Sequence, residues 1–111
     1  MPQPQNLGEF EQLILLAILR LKDTAYGVSI RAELLERAGR DVAPGALYTA
    51  LERLETKGLI KSRMSDPTPQ RGGRAKRQVT VTAAGVEALA RSVQAYERLR
   101  EGLVFHGGAL A

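Results

Sequence analysis

Pro44-Gly45-Ala46-Leu47-Tyr48-Thr49-Ala50-Leu51-Glu52-Arg53-Leu54-Glu55-Thr56-Lys57-Gly58 is the stretch that decides the fold. Proline suits the first turn of a helix, where its missing N–H costs nothing, and glycine stops a helix by accepting a left-handed backbone. Between them Leu47, Leu51 and Leu54 recur at helical spacing and share one side, while Tyr48, Thr49, Glu52 and Arg53 fall opposite. The first residues, Ala43 to Ala46, are small, so another molecule can approach the backbone there closely, and its N–H groups suit a phosphate. The pattern predicts a short helix with a buried leucine edge and an outward face of tyrosine, threonine and arginine.

Working outward, the chain changes period at each Gly or Pro. Upstream, Asn6 and Glu9 form a weak capping box, and Phe10, Leu13, Ile14, Ala17, Ile18 and Leu21 follow at helical spacing. Leu7, Leu15, Leu16 and Leu19 lie off that stripe, as expected of a helix covered on two sides, one of them available to a partner subunit. Lys22-Asp23-Thr24 reads as a turn with Thr24 as cap, and Tyr26, Ile30, Leu34 and Ala38 as the inner face of a second helix that Gly39 ends. Downstream, polar and apolar residues alternate from Leu59 to Met64 and again around Val79 and Val81, which predicts a hairpin. Its connection, residues 65–74, holds two prolines and a glycine pair, and its tip is expected to be mobile. Thr82 then opens a last helix, in which Val86, Leu89, Val93, Tyr96, Leu99 and Leu103 recur down to Gly107-Gly108. About twenty residues make a helix about 30 Å long, more than a small core needs, and the surplus points to a dimer.

The charge has a matching place. The 111-residue chain has a formal net charge of +4, which favours a polyanionic partner. Lys57 to Arg77 holds seven basic residues and one acid, so the rest of the chain is slightly acidic. Arg71, Arg74, Lys76 and Arg77 accompany two glycines at the hairpin, a composition suited to clamping a phosphate backbone. Arg31 reads as part of a solvated face, and Glu52 and Glu55 interrupt an otherwise basic surface. With no cysteine, disulfides and thiolate metal sites are excluded. The single histidine, His106, lies in a Gly-rich tail without a nucleophile or metal partner, and no phosphate loop follows a strand, so an enzyme is not expected. No cofactor is implied. The longest apolar run, Leu13 to Leu19, is too short to span a bilayer, and residues 1–6 lack the pattern of a signal peptide; a cytoplasmic protein without membrane attachment is expected.

Three helices followed by a basic hairpin are the order of a winged helix-turn-helix, a mainly α fold in which the third helix enters a major groove while the hairpin reaches the neighbouring backbone. Pro44, Gly45, Tyr48, Thr49 and Arg53 of that helix, with Arg71, Arg74, Lys76 and Arg77 of the wing, are the candidate contacts to double-stranded DNA. Tyr48 has two readings, a phosphate donor or a half-buried packing aromatic. The expected organisation is a disordered tail over 1–6, the winged domain over 7–82, a dimerisation helix over 83–104 and a flexible tail over 105–111.

The stretches Leu7 to Leu19, Ala25-Tyr26-Gly27, Gly45 to Ile60, Arg71 to Arg77 and Thr82-Ala83-Ala84-Gly85 resemble PadR-family regulators, specifically the compact branch with one C-terminal helix. The resemblance implies a homodimer joined through the last helix with help from the first. Such a dimer usually acts as a repressor at a palindromic operator, relieved by a small-molecule effector. Phe10, Leu13, Val86, Leu89, Val93, Tyr96 and Leu99 are the candidate dimer contacts. Some compact relatives hold planar drugs between subunits with tryptophan; the sequence has none, leaving Phe10, Leu13 and Tyr96 for a smaller pocket. The rival reading is a winged-helix module that binds protein or RNA.

Overall fold

A computed structural model of the chain describes residues 7–64, 76–106 and 109–110. Helix α1 (Glu9–Leu21) begins where Gly8 turns extended and its N–H donates to the Glu11 carboxylate at 3.1 Å. The N-terminal cap is therefore the Gly8–Glu11 pair, two residues later than Asn6–Glu9; glycine offers no side chain, so only half of a capping box forms. Ile14, Leu15, Ala17 and Ile18 bury one side of α1 in the middle of the core.

A single 3-10 turn, Lys22–Thr24, leads to α2 (Gly27–Ala38). Thr24 does not cap α2; its hydroxyl donates to the Leu21 carbonyl, and Tyr26 occupies the cap position, its N–H bound by Ser29 Oγ at 2.9 Å. The inner face of α2 is Ile30 and Leu34, with Tyr26 half-buried before the helix and Ala38 exposed at its end. Gly39 ends α2 in the left-handed region (φ 66°). The turn to α3 (Pro44–Thr56) is tied by Arg31, whose Nε donates to the Val42 carbonyl at 2.7 Å. Arg31 is thus a structural clasp within the helix-turn-helix and not part of a solvated face.

Strands β1 (Ile60–Met64) and β2 (Arg77–Val81) pair antiparallel, from Ile60 opposite Val81 to Met64 opposite Arg77. The Val79 N–H donates to the Ala25 carbonyl at 2.9 Å, so the segment between α1 and α2 completes one edge of the hairpin. Leucines from α3, Ile60, Val79 and the α1 face close one continuous core with Ile30 and Leu34.

Helix α4 runs over Ala83–Arg100 and ends short of Leu103. Thr82 caps it, accepting from the Gly85 N–H at 3.1 Å while its hydroxyl donates to the Gly58 carbonyl at 2.7 Å. The Thr82 N–H donates to the Leu59 carbonyl at 3.0 Å, so the start of α4 is stapled to the exit of α3. Only Gly85, Ala88 and Leu89 of α4 are buried. Of the region 105–111, β3 (Phe105–His106) pairs antiparallel with β4 (Ala109–Leu110). Residues 1–6 and the hairpin connection 65–75 lie outside the described residues.

Candidate nucleic-acid interface

Helix α3 divides as its spacing requires. Leu47, Ala50, Leu51 and Leu54 are buried, whereas Pro44, Gly45, Tyr48, Thr49 and Arg53 are exposed. Ala43 takes the extended cap conformation, and Pro44 lacks an N–H, so the Gly45 and Ala46 amides at the helix end have no intrahelical acceptor. A Cβ added at Gly45 would meet nothing within 4 Å, so the surface there is open as well as low. These amides, the tyrosine and threonine hydroxyls and the Arg53 guanidinium form a row of donors along one helix face. Among the described residues Arg53 has no ion-pair partner. Tyr48 is 60% exposed, which removes the packing reading.

The hairpin cations are in different situations. Lys76 stands over the Tyr26 ring, its Nζ 5.5 Å from the centroid. Arg77 points back onto α3: Nη1 lies 2.7 Å from Glu52 Oε1, Nη2 lies 3.2 Å from Glu55 Oε1, and Cζ is 5.6 Å from the Tyr48 ring centroid. Burial opposes its charge, but the hydrogen bonds to Glu52 and Glu55 outweigh that and raise its pKa. Ser62 Oγ donates to Glu55 Oε1 at 2.6 Å, and this bond, helped by Arg77, keeps the Glu55 carboxyl below its usual range. Lys57, counted with the basic segment, is likewise occupied, with Nζ 2.8 Å from Glu11 Oε2. Arg71 and Arg74 lie outside the described residues. Of the four cations expected at the hairpin, the described residues thus include Lys76 and Arg77, and Arg77 is engaged with Glu52 and Glu55 of α3.

The expected dimer contacts also separate. Leu89 is 5% exposed and belongs to the core of the chain itself, because the first turns of α4 pack on the winged domain. Phe10 and Leu13 are partly buried against that same core. Val86, Val93, Tyr96 and Leu99 remain exposed, and so do Leu16 and Leu19 of α1. Helical spacing did not distinguish the two sets, because both recur at threes and fours.

Two helices joined by a short turn, the second exposed along its outer face, with a two-stranded hairpin beside it, define a winged helix-turn-helix. The chain belongs to the transcriptional regulator PadR-like family, which it matches over residues 15–91. It is 43% identical over 67 residues to Transcriptional regulator Rv3488 of Mycobacterium tuberculosis, covering 59% of this chain and 57% of that protein. It is also 36% identical over 80 residues to a 37.1 kDa protein in transposon TN4556 of Streptomyces fradiae, covering 72% of this chain and 21% of the relative. The chain thus spans about a fifth of one relative's length and just over half of the other's. A PadR family transcription regulator from hypervirulent Clostridium difficile R20291 superposes with a TM-score of 0.69 at 29% identity, covering 83% of this chain and 92% of that one. The family and this structural relative are described as transcription regulators. Among the described residues no group of three metal-ligating side chains occurs, and no helix is long and apolar enough to cross a membrane.

Proposed function

We propose that the chain is a sequence-specific regulator of transcription that binds double-stranded DNA as a homodimer in the cytoplasm and represses at an inverted-repeat operator. The observation that carries this reading is the exposed donor row of α3, with Pro44 and Gly45 at its tip and Tyr48, Thr49 and Arg53 along its length, beside a basic hairpin. An α3 helix presented in this way suits a major groove, where an arginine pairs bidentately with guanine and a hydroxyl meets a phosphate. Arg71, Arg74 and Lys76 extend the contact along the backbone.

The homodimer reading rests on α4. Beyond Leu89 nearly all of its surface is exposed, including Val93, Tyr96 and Leu99, the last at 83%. A second copy is the occupant that covers this apolar face and places two recognition helices about a two-fold axis. The winged domain contributes Leu16 and Leu19 to the same junction. Release by a small-molecule effector is the mode of regulation that family membership supports.

A salt titration tests the DNA reading. The full chain should bind duplex with log affinity falling linearly in log salt, and alanine at Arg71, Arg74 and Lys76 should flatten that slope by about 0.9 for each phosphate that is no longer neutralised. Equal or tighter binding to single-stranded or double-stranded RNA, or no nucleic-acid binding, would transfer the assignment to an RNA-binding or protein-binding module.

A further inference from the structure

We propose that Arg77 is a positioning residue: it promotes DNA binding by cancelling the carboxylates of Glu52 and Glu55 on the recognition helix, not by touching phosphate. The inference rests on the DNA reading above and assigns a role within that site.

Three observations carry it. The guanidinium spends one nitrogen on each carboxylate, at 2.7 and 3.2 Å, and its side chain is 24% exposed, so it is held against α3 by the protein's own acids. Its ring contact is Tyr48, a residue of the DNA-facing row, so the cation touches that row as well as the two acids. Finally, Arg77 opposes Met64 at the end of the described ladder, and Ser62 from the facing strand holds the same Glu55 oxygen. Together these fix both acids in place.

The need for such a residue follows from charge. A duplex carries one negative charge about every 1.7 Å of axis, so a carboxylate turned toward it repels. With Arg77 present, the Arg77–Glu52–Glu55 group carries one net negative charge; without it, two. Lysine is a poor substitute, because one ammonium cannot span two carboxylates as a planar fork does.

The test compares the full chain with R77A, R77A/E52Q/E55Q, R77K and R77K/E55Q on one duplex at fixed salt, with thermal melting of each. Cancellation of charge predicts that R77A binds about tenfold more weakly. The triple variant should return to within about threefold of wild type, although its melting temperature stays with that of R77A. R77K should lose about threefold and regain it in R77K/E55Q. A phosphate contact predicts instead that the triple variant remains as weak as R77A with a salt slope shallower by about 0.9, and that R77K binds like wild type. Either result overturns the proposal, as does affinity that follows melting temperature across the set. If R77A does not fold, the two lysine variants decide alone. Wild type that binds no duplex would instead overturn the DNA reading itself, and the role of Arg77 with it.

Discussion

Replacing Gly85 by alanine adds one methyl group at the most crowded of the described glycines. The new Cβ would fall on the Leu59 carbonyl oxygen and 2.6 Å from Val81 Cγ1. A carbonyl in the α3–β1 turn cannot rotate away, because it already accepts the Thr82 N–H at 3.0 Å. Helix α4 must therefore retreat, which loosens the Thr82 bonds to Gly85 and Gly58 as well. Overpacking of this kind costs about 1–3 kcal/mol. Loss of the threonine cap adds about 1 kcal/mol. The better helix propensity of alanine returns about 0.5–1 kcal/mol. The net expectation is a loss of about 1–3.5 kcal/mol, or about 5–15 °C in melting temperature for a domain of this size. Urea unfolding and thermal melts at one fixed protomer concentration would measure it, since an oligomer's stability depends on concentration. A Gly85→Ala protein that melts at or above the wild-type temperature would refute the close approach of α4 to the α3 exit.

Other expectations follow from the same geometry. Val93→Glu or Tyr96→Glu, both on exposed α4 surface, should convert a sedimenting dimer to monomer at micromolar concentration with helix content retained; an unchanged mass would remove α4 from the interface. Leu51→Ala truncates a 4%-exposed core residue and should cost about 2–5 kcal/mol of stability. Arg53→Ala should leave stability nearly intact and weaken operator binding by about 1–3 kcal/mol; the reverse pattern would mean that α3 is rotated. Burial opposes the charge of Glu11, but the Lys57 ammonium and the Gly8 N–H outweigh it and hold its pKa below the usual 4.5. Its contribution to stability is therefore full above about pH 4.5 and is lost as pH falls through the lower folded value. Glu11→Gln should flatten the acid limb of stability against pH, and an unchanged limb would contradict the Glu11–Lys57 pair.

The architecture was legible because its signals are local. Leu47, Leu51 and Leu54 fix the rotation of α3 by spacing alone, and Pro44, Gly39 and Gly58 mark ends where the backbone demands them. What spacing does not show depends on contacts distant in sequence. Arg77 looked like a loop cation because nothing near it is acidic, yet its partners lie 25 and 22 residues earlier, on α3. The available signal was the pair Glu52 and Glu55, which made little sense beside DNA unless a cation answered them. Glu11 and Lys57 are 46 residues apart and show no pattern at all. Leu89 and Val93 sit on one apolar stripe, and only three-dimensional packing tells which of them the chain itself covers. The hydrogen bond from Val79 to Ala25 joins two backbones, and side-chain periodicity carries no mark of it.

Selection of duplexes from a random pool by the full chain tests the central claim most directly, because it reads partner, symmetry and sequence choice together. The expected result is enrichment of an inverted repeat whose half-site centres lie about 34–36 Å apart, or a multiple of that, with enrichment lost on Arg53→Ala. Recovery of no common sequence, or of a single site without a repeat, would contradict a dimer that reads DNA through the outward face of α3.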